Sequence, residues 1–372
     1  MKRKDQQEIL DFVKNKINKQ NRIERSYAQY LCQMSLIPNS RRVLLNVISA
    51  VGFIPFILAC LVKNIRLGIK SSVENNERAK PPRAVFLGAD HRNIPVKLNH
   101  YIVHKATDQY LLNKESLEFL LKKVYLAYVM HPYFCLKITY KVAQYTANWL
   151  NYHHPHAFIV TSEYSFASSC LTEYCEAINC MHINVMHGEK LFFVRDSFFS
   201  FHQCYVWHEH YKELFISLEA DIDQFCVELP PKFQTQLHQP EITRLSNKNR
   251  VFKYYLGGET REELDHLAKH LKEVSTKFTI LLRPHPLYSD IDETRRIFMG
   301  IEMEMPANID ILQSLTECDL VAGLYTTVLF LGLCMGKELV INDLNEEKYE
   351  RLKELEFICV RSAHYRLSEL KQ

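Results

Sequence analysis

Several features are scarce in this 372-residue sequence, and each scarcity excludes a class of protein. The chain has only 10 glycines and no low-complexity tract, and 47% of its residues are hydrophobic against 24% charged, which excludes fibrous and largely disordered proteins. Its formal net charge is only +3, which gives no electrostatic argument for a nucleic acid partner. We therefore expect a globular protein that does not bind nucleic acid.

The cysteine pattern lacks the spacing of a metal or disulfide framework. None of the 11 cysteines forms a Cys-x-x-Cys pair. Cys60, Cys334 and Cys359 lie in apolar runs, where free cysteine behaves as a small hydrophobic residue. This usage is typical of a reducing compartment. The histidine-rich stretch NYHHPHAF, residues 151–158, has no second ligand pair at suitable spacing, and we predict no metal site.

The length of the chain favours two domains and an appendage, because it exceeds what one ordinary core accommodates. Residues 71–83 are polar, charged and rich in proline, and residues 229–249 have a similar linker character. The predicted parts are a helical membrane-associating segment (1–70), a linker (71–83), an N-terminal Rossmann-like domain (84–235) and a C-terminal Rossmann-like domain (245–372).

Residues 43–62 form an uncharged run that is long enough to cross a bilayer as a helix. Arg41 and Arg42 precede the run and Lys63 follows it. Positive charge on both sides disagrees with a simple spanning helix. Pro55 in its middle permits a kinked, re-entrant or interfacial segment instead. The sequence leaves open whether this segment spans the membrane or lies in it.

The segment before this run is basic and amphipathic. Residues 1–42 contain 10 Lys or Arg against 4 Asp or Glu, and Ile9, Phe12, Val13 and Ile17 recur at helical spacing. Such helices bind anionic membrane surfaces, although an ordinary packed helical hairpin is the alternative. We predict that residues 1–70 attach the chain to a membrane, with the remainder in the cytoplasm.

Short apolar strands alternate with helices through the rest of the chain. This pattern predicts an α/β fold with two tandem doubly wound domains, each built on a parallel sheet. In such sheets ligands bind at the carboxyl ends of the strands. The predicted strands lie at 84–90, 156–163, 182–190, 203–211, 250–258, 277–286, 318–322 and 338–342.

Three polar clusters in the second half suit a phosphate. Gly257, Gly258 and Glu259 separate a strand from a helix, where glycines let the backbone approach an anion. Thr326 and Thr327 open an apolar helix and supply hydroxyl and N–H groups. The alternatives are an ordinary capped turn and simple helix capping.

The third of these clusters is Arg283-Pro284-His285-Pro286, which ends a strand. Two prolines restrict the backbone around the histidine, and a cation beside an imidazole suits a nucleotide phosphate or a leaving group. The alternative is a capped loop with a satisfied histidine.

A fourth cluster, His187-Gly188-Glu189-Lys190, ends a strand of the first half. A neutral histidine in a cleft can remove a proton from an attacking hydroxyl near pH 7. Glu189 could orient this histidine or act as the base itself, and a surface loop is the alternative. Together the four clusters predict group transfer, with an activated donor on the second domain and the acceptor and base on the first.

The order of these motifs resembles bacterial GT-B glycosyltransferases over about residues 84–345. Sialyltransferases and polysialyltransferases of the capsule and lipooligosaccharide type carry a His-Pro motif and a Ser/Thr motif that bind CMP. Teichoic-acid glycerophosphotransferases use a His-Gly base and an Arg-x-His motif. The sialyltransferase branch has an acidic pair before a glycine, whereas this chain has His187-Gly188-Glu189.

The resemblance implies roles for individual residues. His285 with Pro286, and Thr326 with Thr327, would contact the phosphate and nucleotide of the donor, and His187 would be the base. The expected function is an inverting, metal-independent glycosyltransferase of bacterial surface polysaccharide, located at the cytoplasmic face of the inner membrane. Its partners would be a nucleotide-activated sugar, with CMP-sialic acid as the first donor, and a glycan or lipid-linked acceptor; no cofactor is expected.

Two alternatives stay open at this point. The first is a CDP-polyol phosphotransferase of the teichoic-acid type, which cleaves its donor between phosphates. The second is a non-catalytic scaffold of a polysaccharide assembly complex. A nucleotide-sugar epimerase has a related two-domain fold, but the membrane segment would then be hard to explain.

Overall fold

Two parallel β-sheets of six strands each organise the chain. The structure is a computed structural model that describes residues 1–67, 81–88, 90–234 and 250–371. Most of the two predicted linkers, 71–83 and 229–249, lies outside these described residues. The strands of the first sheet are β1 (Arg83–Leu87), β2 (Ile102–Lys105), β3 (Ala157–Val160), β4 (Met181–Val185), β5 (Gln203–Val206) and β6 (Phe225–Val227). The strands of the second are β7 (Val251–Tyr255), β8 (Thr279–Arg283), β9 (Glu302–Met303), β10 (Leu320–Gly323), β11 (Glu338–Ile341) and β12 (Tyr365–Arg366).

The helices fill the intervals before and between the strands. Those up to the end of the first sheet are α1 (Arg3–Lys14), α2 (Arg22–Ser35), α3 (Asn39–Leu67), α4 (Lys114–Leu120), α5 (Leu126–Tyr128), α6 (Pro132–Asn151), α7 (Ser168–Ala177) and α8 (Glu209–Ser217). The later ones are α9 (Pro231–Gln234), α10 (Arg261–Val274), α11 (Ile291–Ile297), α12 (Ile311–Thr316), α13 (Thr327–Cys334), α14 (Glu346–Glu354) and α15 (Ile358–Arg361). A π-helical turn, Leu121–Tyr125, joins α4 to α5.

Both sheets reverse their strand order once, as doubly wound folds do. The first sheet has the order β2-β1-β3-β4-β5-β6 and the second has the order β12-β11-β10-β7-β8-β9, with every pairing parallel. Because parallel crossovers are right-handed, the reversal places successive connections on opposite faces of the sheet. The reversal points lie between β1 and β3 and between β7 and β10, where ligand crevices form in this fold class. The predicted fold class is confirmed.

All eight predicted strands are present, and the four that were missed are the edge strands. β2 and β6 bound the first sheet, and β9 and β12 bound the second. These four strands contain two to four residues, and none is buried along its length. An edge strand has one neighbour and more solvent, so its sequence carries little of the apolar signal that identifies a central strand.

The central strands owe their apolar sequences to burial in two separate cores. In the first unit, strand residues such as Phe86, Ile159 and Ile183 pack with Ile94 and Leu98. In the second, Phe252, Tyr254 and Leu282 from strands pack with helix residues of α10. The first unit contains residues 3–187 and 193–232, and the second contains 188–192 and 233–372. The chain therefore passes from one unit to the other directly after His187.

The helices α1 and α2 pack into the first unit. The inward face of α1 carries Gln6, Leu10 and Val13, so the expected face is corrected in part: Phe12 is 62% exposed. Lys14 and Lys19 both form ion pairs with Glu219. Ion pairs and buried side chains of this kind match the alternative of a packed helical hairpin for residues 3–35.

Helix α3 differs from α1 and α2 because its exposed face carries a row of apolar side chains. Its inner face, which includes buried Ser49 and Cys60, packs against α6. Asn46 Oδ1 accepts a hydrogen bond from Tyr133 N at 3.3 Å, and the Phe56 ring lies 5.8 Å from that of Tyr140. The outer face consists of apolar side chains that are 48–73% exposed: Val43, Leu44, Val47, Ile48, Val51, Ile54, Leu58 and Val62. Residues 39–62 are long and apolar enough to cross a membrane, by length and composition alone.

Candidate active site

The polar loops predicted from the sequence follow neighbouring strands in each sheet. In the second sheet β10, β7 and β8 are consecutive, so the loops that contain Thr326, Gly257 and His285 emerge at one carboxyl edge. In the first sheet β3 and β4 are neighbours, so the loop after each begins at the same edge. Each unit therefore holds its own group of candidate residues.

His187 contacts a buried carboxylate in the first unit. Its Nδ1 lies 3.4 Å from Oε1 of Glu163, whose side chain is fully buried, while the His187 side chain is 39% exposed. The other oxygen of Glu163 accepts a hydrogen bond from Asn184 Nδ2 at 3.2 Å. A histidine with one nitrogen beside a carboxylate and an exposed ring edge has the arrangement of a general base.

Glu189 belongs to the second unit together with residues 188–192. Its carbonyl oxygen accepts a hydrogen bond from the Tyr325 hydroxyl at 3.4 Å. Burial raises the pKa of the Cys334 thiol to about 11, with a further contribution from the negative charge of Glu189. The carboxylate that the structure places beside His187 is thus Glu163, and a catalytic role for Glu189 stays a prediction.

His285 is held in one hydrogen-bonding state by the backbone. Its Nδ1 accepts hydrogen bonds from the N–H groups of Leu287 at 3.1 Å and Tyr288 at 3.2 Å. The imidazole stacks on the Tyr288 ring at 4.4 Å, and burial lowers the pKa of His285. With Nδ1 accepting, the proton of the neutral ring is on Nε2, which can donate to an anion.

Arg283 is buried and paired with a carboxylate. Its guanidinium donates to Glu304 Oε1 at 2.5 Å and to the Ile309 carbonyl at 2.7 Å. Lys253 donates to the other oxygen of Glu304, also at 2.5 Å. Burial opposes ionisation of Glu304, but hydrogen bonds from Lys253, Ser314 and Arg283 outweigh it and hold its pKa below the ordinary value. Phosphate binding by Arg283 stays a prediction.

The Gly257-Gly258-Glu259 turn is partly closed by its own carboxylate. Glu259 Oε2 accepts a hydrogen bond from Gly257 N at 2.7 Å, and its other oxygen accepts one from the Tyr254 hydroxyl at 3.4 Å. Burial raises the pKa of Glu259. A Cβ at Gly258 would meet no atom within 4 Å, so packing does not require glycine there. An anion that used the Gly257 N–H would have to replace the Glu259 carboxylate.

The loop after β10 approaches the end of β7 very closely. A Cβ at Gly323 would lie 3.0 Å from Thr326 Cγ2 and 3.1 Å from the Tyr255 carbonyl oxygen, so a larger residue would separate the two strand ends. Thr326 caps α13, since its Oγ1 accepts from Val328 N at 3.3 Å. Simple helix capping is therefore present at this position, and donor contacts of Thr326 and Thr327 stay predictions.

Three residues with clear structural roles near these loops were not identified from the sequence. They are Glu163, Asn184 and Glu304, and all three are buried. A carboxylate three residues beyond an apolar strand was the available signal for Glu163, because its strand is adjacent to the strand that ends before His187. No local signal marks Glu304, which lies on the edge-strand side of β8.

The described residues contain no group of three or more His, Cys, Asp or Glu side chains that could hold a metal ion. The histidine-rich stretch 151–158 is instead packed locally, with the ring of His154 stacked on that of Trp149 at 3.8 Å.

No family model matches the sequence, and no curated protein matches it either. Among solved structures, the chain is similar to the wall teichoic acid polymerase TagF, with 12% identity, 79% of this chain and 80% of that chain covered, and a TM-score of 0.39. It is also similar to a kitacinnamycin glycotransferase, with 10% identity, coverage of 78% and 87%, and a TM-score of 0.47. A third similar structure is Anabaena HepE in complex with UDP and glucose, with 10% identity, coverage of 78% and 97%, and a TM-score of 0.40.

These likenesses are distant. None of the three proteins is described as a sialyltransferase. At identities of 10–12% and TM-scores below 0.5, they identify neither a substrate nor a reaction for this chain.

Proposed function

We propose that the chain is a nucleotide-sugar-dependent glycosyltransferase. The observation that carries the proposal is the hydrogen bonding of His285, whose Nδ1 accepts two backbone N–H groups. This arrangement leaves Nε2–H as a donor at the carboxyl edge of a sheet with the strand order of nucleotide-binding folds. Thr326 and Thr327 begin α13 at the same edge, where free N–H groups favour an anion.

The proposed reaction divides the chemistry between two histidines. The oxygen of an acceptor hydroxyl attacks the anomeric carbon of the donor sugar, and His187 Nε2 takes the hydroxyl proton. The bond from the anomeric carbon to the donor phosphate oxygen breaks, and the nucleotide leaves with the electron pair. His285 Nε2–H and the N-terminus of α13 stabilise the charge on that phosphate. The attack inverts the anomeric centre and requires no cofactor.

The donor class can be identified by a binding and hydrolysis panel. We propose CMP-sialic acid as the first donor to test, in the synthesis of a bacterial capsule or lipooligosaccharide. UDP-sugars, GDP-sugars and CDP-glycerol complete the panel. The mass of the transferred group separates a sugar from a glycerol phosphate, which would identify the phosphotransferase alternative.

The panel should be run with the wild-type chain, with His285→Ala and with His266→Ala as a matched control at an exposed histidine of α10. We expect one donor to bind and to be hydrolysed slowly, with both properties lost in His285→Ala and kept in His266→Ala. Failure of every donor to bind would refute the proposed enzymatic function and support the alternative of a non-catalytic scaffold.

We further propose that the outer face of α3 contacts a lipid bilayer. Its eight exposed apolar side chains face away from α6, and a helix with polar surroundings would carry polar residues there. Since the inner face is covered by α6 over the Asn46–Cys60 region, α3 would lie along the membrane surface rather than cross it. Arg41 and Arg42 at its start suit anionic headgroups. The location that we propose is the cytoplasmic face of the inner membrane, beside glycan or lipid-linked acceptors.

Vesicle co-sedimentation tests the membrane contact. Val51→Glu should lower the fraction bound to vesicles containing anionic lipid about 10-fold or more, because it places a charge in the apolar face. Ile222→Glu is the control, since Ile222 is a similarly exposed apolar residue of the same unit. Equal binding of both variants and the wild type would exclude α3 as the contact.

A further inference from the structure

The strand register brings Glu163 and His187 to matching positions. In the pairing of β3 with β4, Val160 is opposite Asn184. Glu163 lies three residues after Val160, and His187 lies three residues after Asn184. The two side chains therefore leave the sheet at the same height, which explains the separation of 3.4 Å between Glu163 Oε1 and His187 Nδ1.

Glu163 is held in place from two sides. Asn184 Nδ2 donates to its Oε2 at 3.2 Å, and Gln29 Nε2 donates to its main-chain oxygen at 2.8 Å. Asn184 is itself oriented, because its Oδ1 accepts from Ser162 N at 2.8 Å. The hydrogen bond from Asn184 engages Oε2, so Oε1 is the oxygen that faces His187.

The side chains around the imidazole complete this orientation. The Tyr164 ring meets the His187 ring edge-on at 6.0 Å. The Arg195 guanidinium lies 5.5 Å from the centre of the Tyr164 ring and pairs with Asp196 at 2.6 Å. The carboxylate beside the imidazole is that of Glu163. The Arg195 charge is paired with Asp196 and also interacts with the Glu163 carboxylate.

We propose that Glu163 is the positioning residue of His187. A carboxylate only accepts hydrogen bonds, so it selects the tautomer with the proton on Nδ1 and leaves the Nε2 lone pair available. Glu163 does not touch the substrate and acts through the imidazole. The base role of His187 rests on the proposed function, whereas the choice of tautomer does not.

Nitrogen NMR of the ¹⁵N-histidine-labelled protein tests the tautomer without any substrate. The His187 signal is assigned as the one missing from His187→Asn. We expect wild-type His187 to carry its proton on Nδ1. In Glu163→Gln, the glutamine carbonyl can keep the bond from Asn184 while its NH2 faces the ring, so the proton should move to Nε2. Glu176→Gln is the matched control, because exposed Glu176 also faces a histidine, with 3.9 Å between its Oε2 and His202 Nε2.

Either of two results would overturn the proposal. Wild-type His187 with its proton on Nε2 would do so even if Glu163→Gln failed to fold. An unchanged His187 signal in a folded Glu163→Gln variant would do so as well.

Kinetics supply a second readout once a donor is known. Glu163→Gln should lower kcat about 10- to 1,000-fold with the donor KM unchanged, because only proton transfer is impaired. In a His187→Asn background the same change should have no further effect, whereas independent structural damage would multiply the two losses. If no donor is turned over, the proposed glycosyltransferase function is refuted, but the NMR result still shows whether Glu163 sets the tautomer of His187.

Discussion

His187 and His285 follow strands of two different sheets, and the groups that face their Nδ1 atoms have opposite hydrogen-bonding character. Nδ1 of His187 faces a carboxylate, which only accepts hydrogen bonds. Nδ1 of His285 faces two backbone N–H groups, which only donate. The first environment leaves Nε2 as an acceptor and the second leaves Nε2 as a donor. The same side chain can thus serve as a base in one unit and as an anion-binding group in the other.

The largest effect should come from replacing His187, whose Nε2 is left as a hydrogen-bond acceptor. His187→Asn should lower kcat by about 100- to 10,000-fold, the range for loss of a general base, while donor affinity stays unchanged. Steady-state kinetics and calorimetric titration of the donor measure the two quantities. A loss of donor affinity without a loss of kcat would reverse the roles that the comparison assigns to the two histidines.

The second prediction concerns the buried ion pairs that Glu304 forms with Arg283 and Lys253. Glu304→Gln should lower the free energy of unfolding by about 3–5 kcal/mol, because it leaves Arg283 and Lys253 buried without their shared carboxylate. Urea denaturation measures this change. Glu317→Gln is the control: Glu317 also lies 3.5 Å from Lys253 but is 43% exposed, against 5% for Glu304. Its loss should cost about 1 kcal/mol or less.

Equal stability of the Glu304→Gln variant and the wild type would show that the ion pair between Arg283 and Glu304 does not stabilise the fold. Arg283 could then bind a donor phosphate, and His285 would not be the group that distinguishes the second unit as the donor-binding one.

A smaller effect is expected from pH on donor binding. Burial lowers the pKa of His285 below its ordinary value of 6.5, so the imidazole stays mainly neutral as the pH falls from 8 to 6.5. Donor affinity should therefore be nearly constant over this range, as calorimetric titration at several pH values would show. An affinity that rises towards pH 6.5 in the wild type, but not in His285→Gln, would instead indicate binding by a charged imidazolium.

The last prediction concerns His182, a histidine whose two ring nitrogens are both engaged inside the first unit. It is fully buried, and both ring nitrogens have partners: the Tyr145 hydroxyl at 2.9 Å and the Thr172 hydroxyl at 2.8 Å. Burial lowers its pKa well below 6.5. The unfolded chain therefore binds a proton more readily below pH 6.5, so stability is complete above that pH and falls as the pH decreases.

The contribution of His182 should reach about 1.4 kcal/mol per pH unit. Denaturation curves between pH 7 and pH 5 measure it, and His182→Gln should show a shallower decline than His266→Gln. Identical slopes would mean that other groups govern the acid sensitivity.

The sequence predicted the central strands because burial on both faces requires apolar residues without interruption. It did not predict β2, β6, β9 and β12, whose stability comes from a single neighbouring strand. The strand ends at His187 and His285 were visible because polar residues follow an apolar run abruptly. The fold could therefore be predicted except at its edges.

The site was less predictable because it depends on which loops are neighbours. Glu163 lies 24 residues before His187, and only the pairing of β3 with β4 brings them together. Glu304 likewise reaches Arg283 through the pairing of β8 with the short strand β9. For Arg283, the sequence shows the charge but not the Glu304 carboxylate that pairs with it. Local patterns identify candidate residues, whereas their hydrogen-bonding partners follow from long-range register.

The exposed apolar face of α3 has a consequence for how the proposed glycosyltransferase would encounter its acceptor. A protein seated on lipid by this helix searches a surface rather than a volume, and a lipid-linked acceptor on the same leaflet diffuses in the same two dimensions. Its turnover would then depend on the number of acceptors per unit of membrane area, and dilution with acceptor-free lipid would slow it even at constant bulk concentration.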